Sequence, residues 1–60
     1  MFHLLILDDE TGNTFEWNGS LTVNVHGPDG KVFDVFSLAW KPEGNTFLDF
    51  AASVERYTEE

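Results

Sequence analysis

The sequence predicts an α+β fold, in which a four-stranded antiparallel meander is followed by one C-terminal helix that packs on one sheet face (β-β-β-β-α). Residues 14–40 hold runs of β-branched and aromatic residues separated by glycine-containing turns, which is typical of antiparallel hairpins. Residues 46–60 instead repeat their apolar residues every three or four positions, which is typical of an amphipathic helix. Because the 60 residues contain no linker or repeat, we expect a single domain, residues 1–60.

The first half of the predicted sheet begins with residues 2–7, an apolar run interrupted only by His3. Continuous apolar runs are typical of strands that are buried on both faces. Residues 8–13 follow as a turn that starts with three consecutive acids. A short strand, residues 14–17, comes next, and Asn18-Gly19 predicts a two-residue hairpin in which both residues have positive φ.

The second predicted hairpin, residues 21–40, organises the sheet. Pro28 favours the second position of a type I turn, and Gly30 favours the left-handed residue that follows. This combination predicts a three-residue loop with a bulge at Gly30, in which Gly27 pairs with Lys31.

The register set by this turn sorts the side chains of the hairpin into two faces. It predicts that Val25 faces Phe33 and that Val23 faces Val35. The face expected under the helix is apolar and holds Leu21, Val23, Val25, Phe33 and Val35. The opposite face is polar near the turn and apolar further along, with Thr22, Asn24, His26, Asp34, Val32, Phe36, Leu38 and Trp40.

The predicted helix begins at Asn45 or Thr46, after a turn at residues 41–44. Asp49 has capping-box spacing from Thr46 and lies in the first turn, where the helix dipole favours an acid. The residues expected to contact the sheet form one stripe, Phe47, Phe50, Ala51, Val54 and Tyr57. A single helix covers one sheet face, so the other face is predicted to expose an apolar patch of the kind that marks interaction surfaces.

The net charge of −8, from eleven acids and three bases, restricts the partners. It disfavours nucleic acids and anionic membranes, and it favours another protein with a basic surface. The chain has no cysteine, so a disulfide framework is excluded. The N-terminal residues lack the basic region and the long apolar run of a signal peptide, so we expect a cytoplasmic protein.

Catalysis and metal binding find no support in the residue pattern. None of the serines lies in a nucleophile elbow. His3 and His26 are candidate metal ligands together with Asp34 or Asn24, but their spacing is equally that of ordinary strand histidines. The acids at 8–10 lack the glycine and the final acid that a calcium-binding EF-hand loop needs. We therefore expect no enzyme, no metal and no cofactor.

Two mechanisms of protein binding remain open. In the first, carboxylates imitate DNA phosphates in a basic site of the partner, and the acids for this role are Asp8, Asp9, Glu10, Glu16, Glu43, Asp49, Glu55, Glu59 and Glu60. In the second, the apolar sheet face docks on the partner and charge only speeds association. The predicted partner-binding residues are Trp40, Phe36, Leu38, Val32, Asp8, Asp9 and Glu10. The alternative is a small structural homo-oligomer, such as a homodimer formed through the same sheet face.

In size, charge and lack of a catalytic motif, the chain resembles the small acidic proteins that phages use against host factors. The resemblance is one of composition and covers no motif. It implies a phage-type inhibitor that acts on a host factor by charge or through the apolar sheet face.

Overall fold

The computed structural model describes residues 3–38 and 46–59 and shows the predicted α+β meander. Its elements are β1 (Leu4–Leu7), β2 (Thr14–Trp17), β3 (Thr22–His26), β4 (Val32–Ser37) and α1 (Thr46–Thr58). The strands form one antiparallel sheet in the order β1-β2-β3-β4, and α1 follows. Trp40, the turn at 41–44 and the cap at Asn45 lie outside the described residues, as does the side chain of Thr46.

The turn between β3 and β4 has the predicted form. The Gly30 amide donates a hydrogen bond to the Gly27 carbonyl, and the Gly27 amide donates one to the Lys31 carbonyl, both at 2.9 Å. Gly30 has a φ of 87°, which is the left-handed conformation that the turn requires. The predicted pairing of Gly27 with Lys31 is therefore confirmed.

The connection between β2 and β3 differs from the predicted two-residue hairpin. It spans residues 18–21, and Asn18 does not have a positive φ. Side chains stabilise this longer loop, because the Trp17 indole donates to the Ser20 carbonyl at 2.6 Å and the Ser20 amide donates to Asn18 Oδ1 at 3.3 Å. Leu21, which was predicted to lie in the core, is exposed at the end of this loop.

A bulge in β4 reverses the predicted faces of that strand. Beside the turn the predicted register holds, and His26 lies opposite Val32. The next residue of β3, Val25, pairs with Asp34 instead of Phe33, because two residues of β4 lie opposite one residue of β3 at the bulge. All later residues of β4 are shifted by one position, which moves each side chain to the other sheet face.

This shift corrects the predicted environment of four side chains. Phe36 and Leu38 were predicted on the face opposite the helix, but Leu38 is buried in the core under α1 and Phe36 packs against that core. Phe33 and Val35 were predicted in the core, but they are 58% and 51% exposed. Val32 is exposed on the face opposite the helix, as predicted.

The core lies between one face of the sheet and α1. Its buried side chains are Phe15, Trp17, Val23, Val25, Leu38, Phe50 and Val54. Trp17 contacts Phe50 with ring centroids 5.4 Å apart, and Tyr57 stacks on Phe36 with ring centroids 4.6 Å apart. The aromatic contacts therefore hold α1 to the sheet both near its start and near its end.

Two more burial predictions are wrong. β1 is an edge strand with one covered face, so Leu5 and Leu7 are exposed rather than buried. On α1 the buried stripe starts at Phe50, whereas Phe47 is 48% exposed. Ser53 is buried within this stripe, because it lies three residues after Phe50 and therefore on the same side of the helix.

Candidate functional site

The sheet face opposite α1 is the strongest candidate site, and we call it the open face. Side chains reach it from alternate positions of each strand. Its apolar side chains lie in two rows, one on each edge strand, formed by Leu5 and Leu7 on β1 and by Val32, Phe33 and Val35 on β4. Each is 50–62% exposed, although side chains of these types are usually buried.

The middle of the open face is polar. Glu16 on β2 lies between two histidines, with His3 Nε2 2.6 Å from Glu16 Oε2 and His26 Nε2 2.6 Å from Glu16 Oε1. An ionised carboxylate only accepts hydrogen bonds, so both histidines donate to it. Asn24 lies beside Glu16 on β3. Two apolar rows therefore flank a hydrogen-bonded polar centre.

Glu16 and His26 shift each other's pKa in opposite directions. Hydrogen bonds from His26 and then from His3 lower the pKa of Glu16. The Glu16 carboxylate, and then the Gly30 carbonyl, raise the pKa of His26. His26 Nδ1 lies 3.0 Å from the Gly30 oxygen, so both ring nitrogens of His26 have acceptors. This geometry favours the protonated imidazolium form of His26.

The metal site considered from the sequence with Asp34 as the third ligand is not assembled. Asp34 lies on the same sheet face as Val25, opposite to His26, and its Oδ2 accepts a hydrogen bond from the Tyr57 hydroxyl at 2.5 Å. This bond, followed by the one from the Val35 amide, lowers the pKa of Asp34, and the carboxylate in turn raises the pKa of Tyr57. In residues 3–38 and 46–59 no cluster of three histidine, cysteine or carboxylate side chains is arranged to hold a metal ion.

The predicted acids at 8–10 lie at one end of the sheet, which we call the acidic end. The meander brings the β1–β2 turn, the β3–β4 turn and the last turn of α1 to this end. The two turns are in contact, because a Cβ atom on Gly12 would lie 3.3 Å from Pro28 Cγ. The acids in these three segments are Asp8, Asp9, Glu10, Asp29, Glu55 and Glu59.

A groove of about 750 Å³ opens at the acidic end, between the β1–β2 turn and the C-terminal half of α1. Its apolar walls come from Ile6, Leu7, Phe15, Val54 and Tyr57, and its polar rim from Asp8, Glu10, Thr11, Asn13 and Thr58. Of the predicted partner-binding acids, Asp8 and Glu10 line the groove and Asp9 does not. No sequence pattern signals this groove, because the groove forms only when α1 crosses the β1–β2 hairpin.

The structure brings together some predicted site residues and separates others. Val32 lies on the open face, and the acids at 8–10 lie together at the acidic end. Phe36 and Leu38 contribute to the core under α1 and do not lie on the open face. The cluster of Glu16 with two histidines was missed, since only the register of β1, β2 and β3 places these residues side by side.

Comparisons with protein-family models, with curated proteins and with solved structures gave no significant match for this chain. Within the described part of the chain, no helix is long and apolar enough to cross a membrane. The case for a function therefore rests on the chain's own residues, above all on the open face and the acidic end.

Proposed function

We propose that this protein is a non-enzymatic binding module whose open face docks on a basic surface of another protein. The observation that carries the proposal is the pair of apolar rows on β1 and β4, all of whose side chains are at least half exposed. Groups of exposed large apolar side chains on one face of a protein often mark interaction sites. The two rows provide apolar area to bury on binding, and the polar groups between them provide hydrogen-bonding partners of the kind that interfaces also contain.

The charge of the chain selects the kind of partner. A net charge of −8 attracts a basic protein surface and repels other acidic chains. Glu16, one of the acids considered for phosphate mimicry, is hydrogen-bonded by two histidines, which reduces its value as a phosphate substitute. We therefore favour apolar docking assisted by charge over DNA mimicry. The compositional resemblance to phage proteins extends the proposal to inhibition of the partner whose surface is covered.

The test starts with affinity capture on the immobilised protein and identification of the retained partner by mass spectrometry. The double substitution Phe33→Thr with Val35→Thr then removes most of the β4 row while keeping β-propensity. We expect binding to weaken about tenfold or more, as for the loss of interface hot spots. The matched control is Phe47→Gln on α1, which removes an exposed aromatic outside the sheet. Equal losses in the two variants would contradict docking through the open face.

A salt titration of the same complex separates the two binding mechanisms. Apolar docking predicts that affinity changes little between low and physiological salt, although the association rate falls. A steep loss of affinity with salt would instead support imitation of phosphates by the carboxylates.

A homodimer through the open face is the second candidate. The observation that favours it is the placement of the apolar rows on opposite edges of the sheet, because a two-fold axis parallel to the strands sets the β1 row of one copy over the β4 row of the other. Sedimentation equilibrium tests this candidate. A mass of 6.8 kDa at every concentration would exclude the dimer.

A further inference from the structure

The apolar walls of the groove at the acidic end are tightly packed. The Tyr57 ring stacks on Phe36 and makes an edge contact with Phe15, with ring centroids 4.6 Å and 5.7 Å apart. The Tyr57 hydroxyl is fixed by its hydrogen bond to Asp34. Val54 is a buried core residue of α1. A preformed wall of this kind reduces the ordering cost of binding, because its side chains are already held by packing and hydrogen bonding.

The rim of the groove is negative. Asp8 and Glu10 both line it, and the turn holds Asp8 in place, since Asp8 Oδ1 accepts a hydrogen bond from the Glu10 amide at 3.0 Å. Thr58 also lines the groove and is the last residue of α1. The helix dipole places partial negative charge at this end of the helix. Lys31 and Arg56 are the basic residues described at this end of the molecule, and neither lines the groove.

We propose that this groove receives a lysine or arginine side chain of a partner protein. Such a side chain has an aliphatic stem that packs on apolar walls and a cationic head that pairs with carboxylates. The groove matches both parts, with Tyr57 and Val54 beside the stem and with Asp8 and Glu10 beside the head. Its volume exceeds that of one side chain, so the residues that flank the basic residue also enter.

That the cationic side chain belongs to a protein is taken from the proposed function, on which this inference rests. Leu7 joins the two surfaces, because it belongs to the β1 row of the open face and also lines the groove. A partner docked on the open face can therefore place a basic residue in the groove without a gap between the two contacts.

The experiment is a titration of the isotope-labelled protein with a blocked alanine-lysine-alanine tripeptide, followed by backbone amide shifts in NMR spectra. We expect saturable shifts confined to residues 6–13, 15 and 54–58. The matched peptide has norleucine in place of lysine, which keeps the stem and removes the charge, and we expect it to bind at least about threefold more weakly. Spermidine, a free cation without a peptide backbone, is the third probe and should bind more weakly than the lysine peptide.

Two variants of the β1–β2 turn separate the groove from general attraction by charge. Glu10→Gln and Asp9→Asn each remove one acid from neighbouring positions, but only Glu10 lines the groove. We expect Glu10→Gln to weaken binding of the lysine peptide by about threefold, and Asp9→Asn by less than about 1.5-fold. Equal effects of the two substitutions, or equal binding of the lysine and norleucine peptides, would overturn the inference. Tighter binding of spermidine than of the lysine peptide would also overturn it.

The open-face variant makes this failure distinguishable from failure of the proposed function. Phe33→Thr with Val35→Thr alters β4 and leaves the groove residues unchanged. We expect this variant to bind the lysine peptide with wild-type affinity, even though its binding to the captured partner is weakened. Reduced peptide binding by this variant would contradict a separate site in the groove.

Discussion

The two faces of the sheet use similar apolar side chains in opposite environments. Val23 is fully buried under α1, whereas Val35 on the neighbouring strand is 51% exposed on the open face. Phe36 packs against the core, whereas Phe33, three residues earlier on the same strand, is exposed. Hydrophobicity alone therefore does not decide which residues of this sheet form the core. The β4 bulge decides it, because one extra residue exchanges the two faces of the strand.

The two faces of the sheet also differ in their polar residues. On the covered face, the buried contacts of β2 are made by Phe15 and Trp17. On the open face, the same strand presents Glu16 to His3 and His26. An ionised pair is tolerated there because water still reaches it, whereas burial under α1 would require the charges to lose their hydration. The hydrogen-bonded charge of β2 thus lies on the hydrated open face, and the apolar contacts of that strand lie under α1.

The largest effect that sharpens this comparison is expected for Phe50→Ala. Phe50 is fully buried against Trp17, so its truncation leaves a cavity and should lower the free energy of unfolding by about 3–5 kcal/mol. Phe47→Ala, on the exposed side of the same helix, is the control and should lower it by less than about 1 kcal/mol. Urea denaturation measures both values, and similar losses would contradict the placement of α1.

The β3–β4 turn, which sets the start of the register, is tested by Gly30→Val. Gly30 has a φ of 87°, and a β-branched side chain is strained there, so we expect a loss of about 1–3 kcal/mol. Apart from its two chain neighbours, no described residue comes within 4 Å of a Cβ placed on Gly30, so the strain is one of backbone conformation and not of crowding. Gly30→Asn should therefore be tolerated better, since asparagine adopts positive φ more readily. Thermal unfolding of the two variants checks this order, which crowding at the turn would not produce.

A smaller effect concerns the pH dependence of the histidine cluster. The pKa of Glu16 is lowered from 4.5, so its contribution to stability is present above pH 4.5 and is lost as pH falls through the lowered value. The pKa of His26 is raised from 6.5, so its contribution is complete below pH 6.5 and is lost as pH rises through the raised value. The stability difference between wild type and His26→Gln should therefore be largest between pH 4.5 and 6.5. Denaturation curves across pH measure it, and a difference that grows above pH 7 would contradict the pairing.

The sequence was sufficient for the order of elements and for the turn at Pro28 and Gly30, because turn residues with fixed backbone preferences act locally. It was not sufficient for the faces of β4. That strand has apolar residues at both odd and even positions, Val32, Phe33, Val35 and Phe36, so alternation fits either register equally well. Packing of α1 against the whole sheet selects one of them, and that contact is not encoded in any short stretch.

The candidate sites were predictable only in part for the same reason. The acids at 8–10 are visible in the sequence as a charged turn, and the structure adds the groove beside them. The cluster joins Glu16 of β2, His26 of β3 and His3, which directly precedes β1, so it depends on two registers at once. A histidine in an isolated strand carries no signal of its neighbours on the adjoining strands.

The most direct test of the account compares Phe33→Ala with Phe36→Ala by urea denaturation. The two substitutions remove the same type of side chain from the same strand. The bulge places Phe33 on the open face and Phe36 on the covered face. We predict that Phe36→Ala lowers the free energy of unfolding by about 2–3 kcal/mol and that Phe33→Ala lowers it by less than about 1 kcal/mol. The reverse order would place Phe33 in the core, and it would contradict both the bulge and the open face.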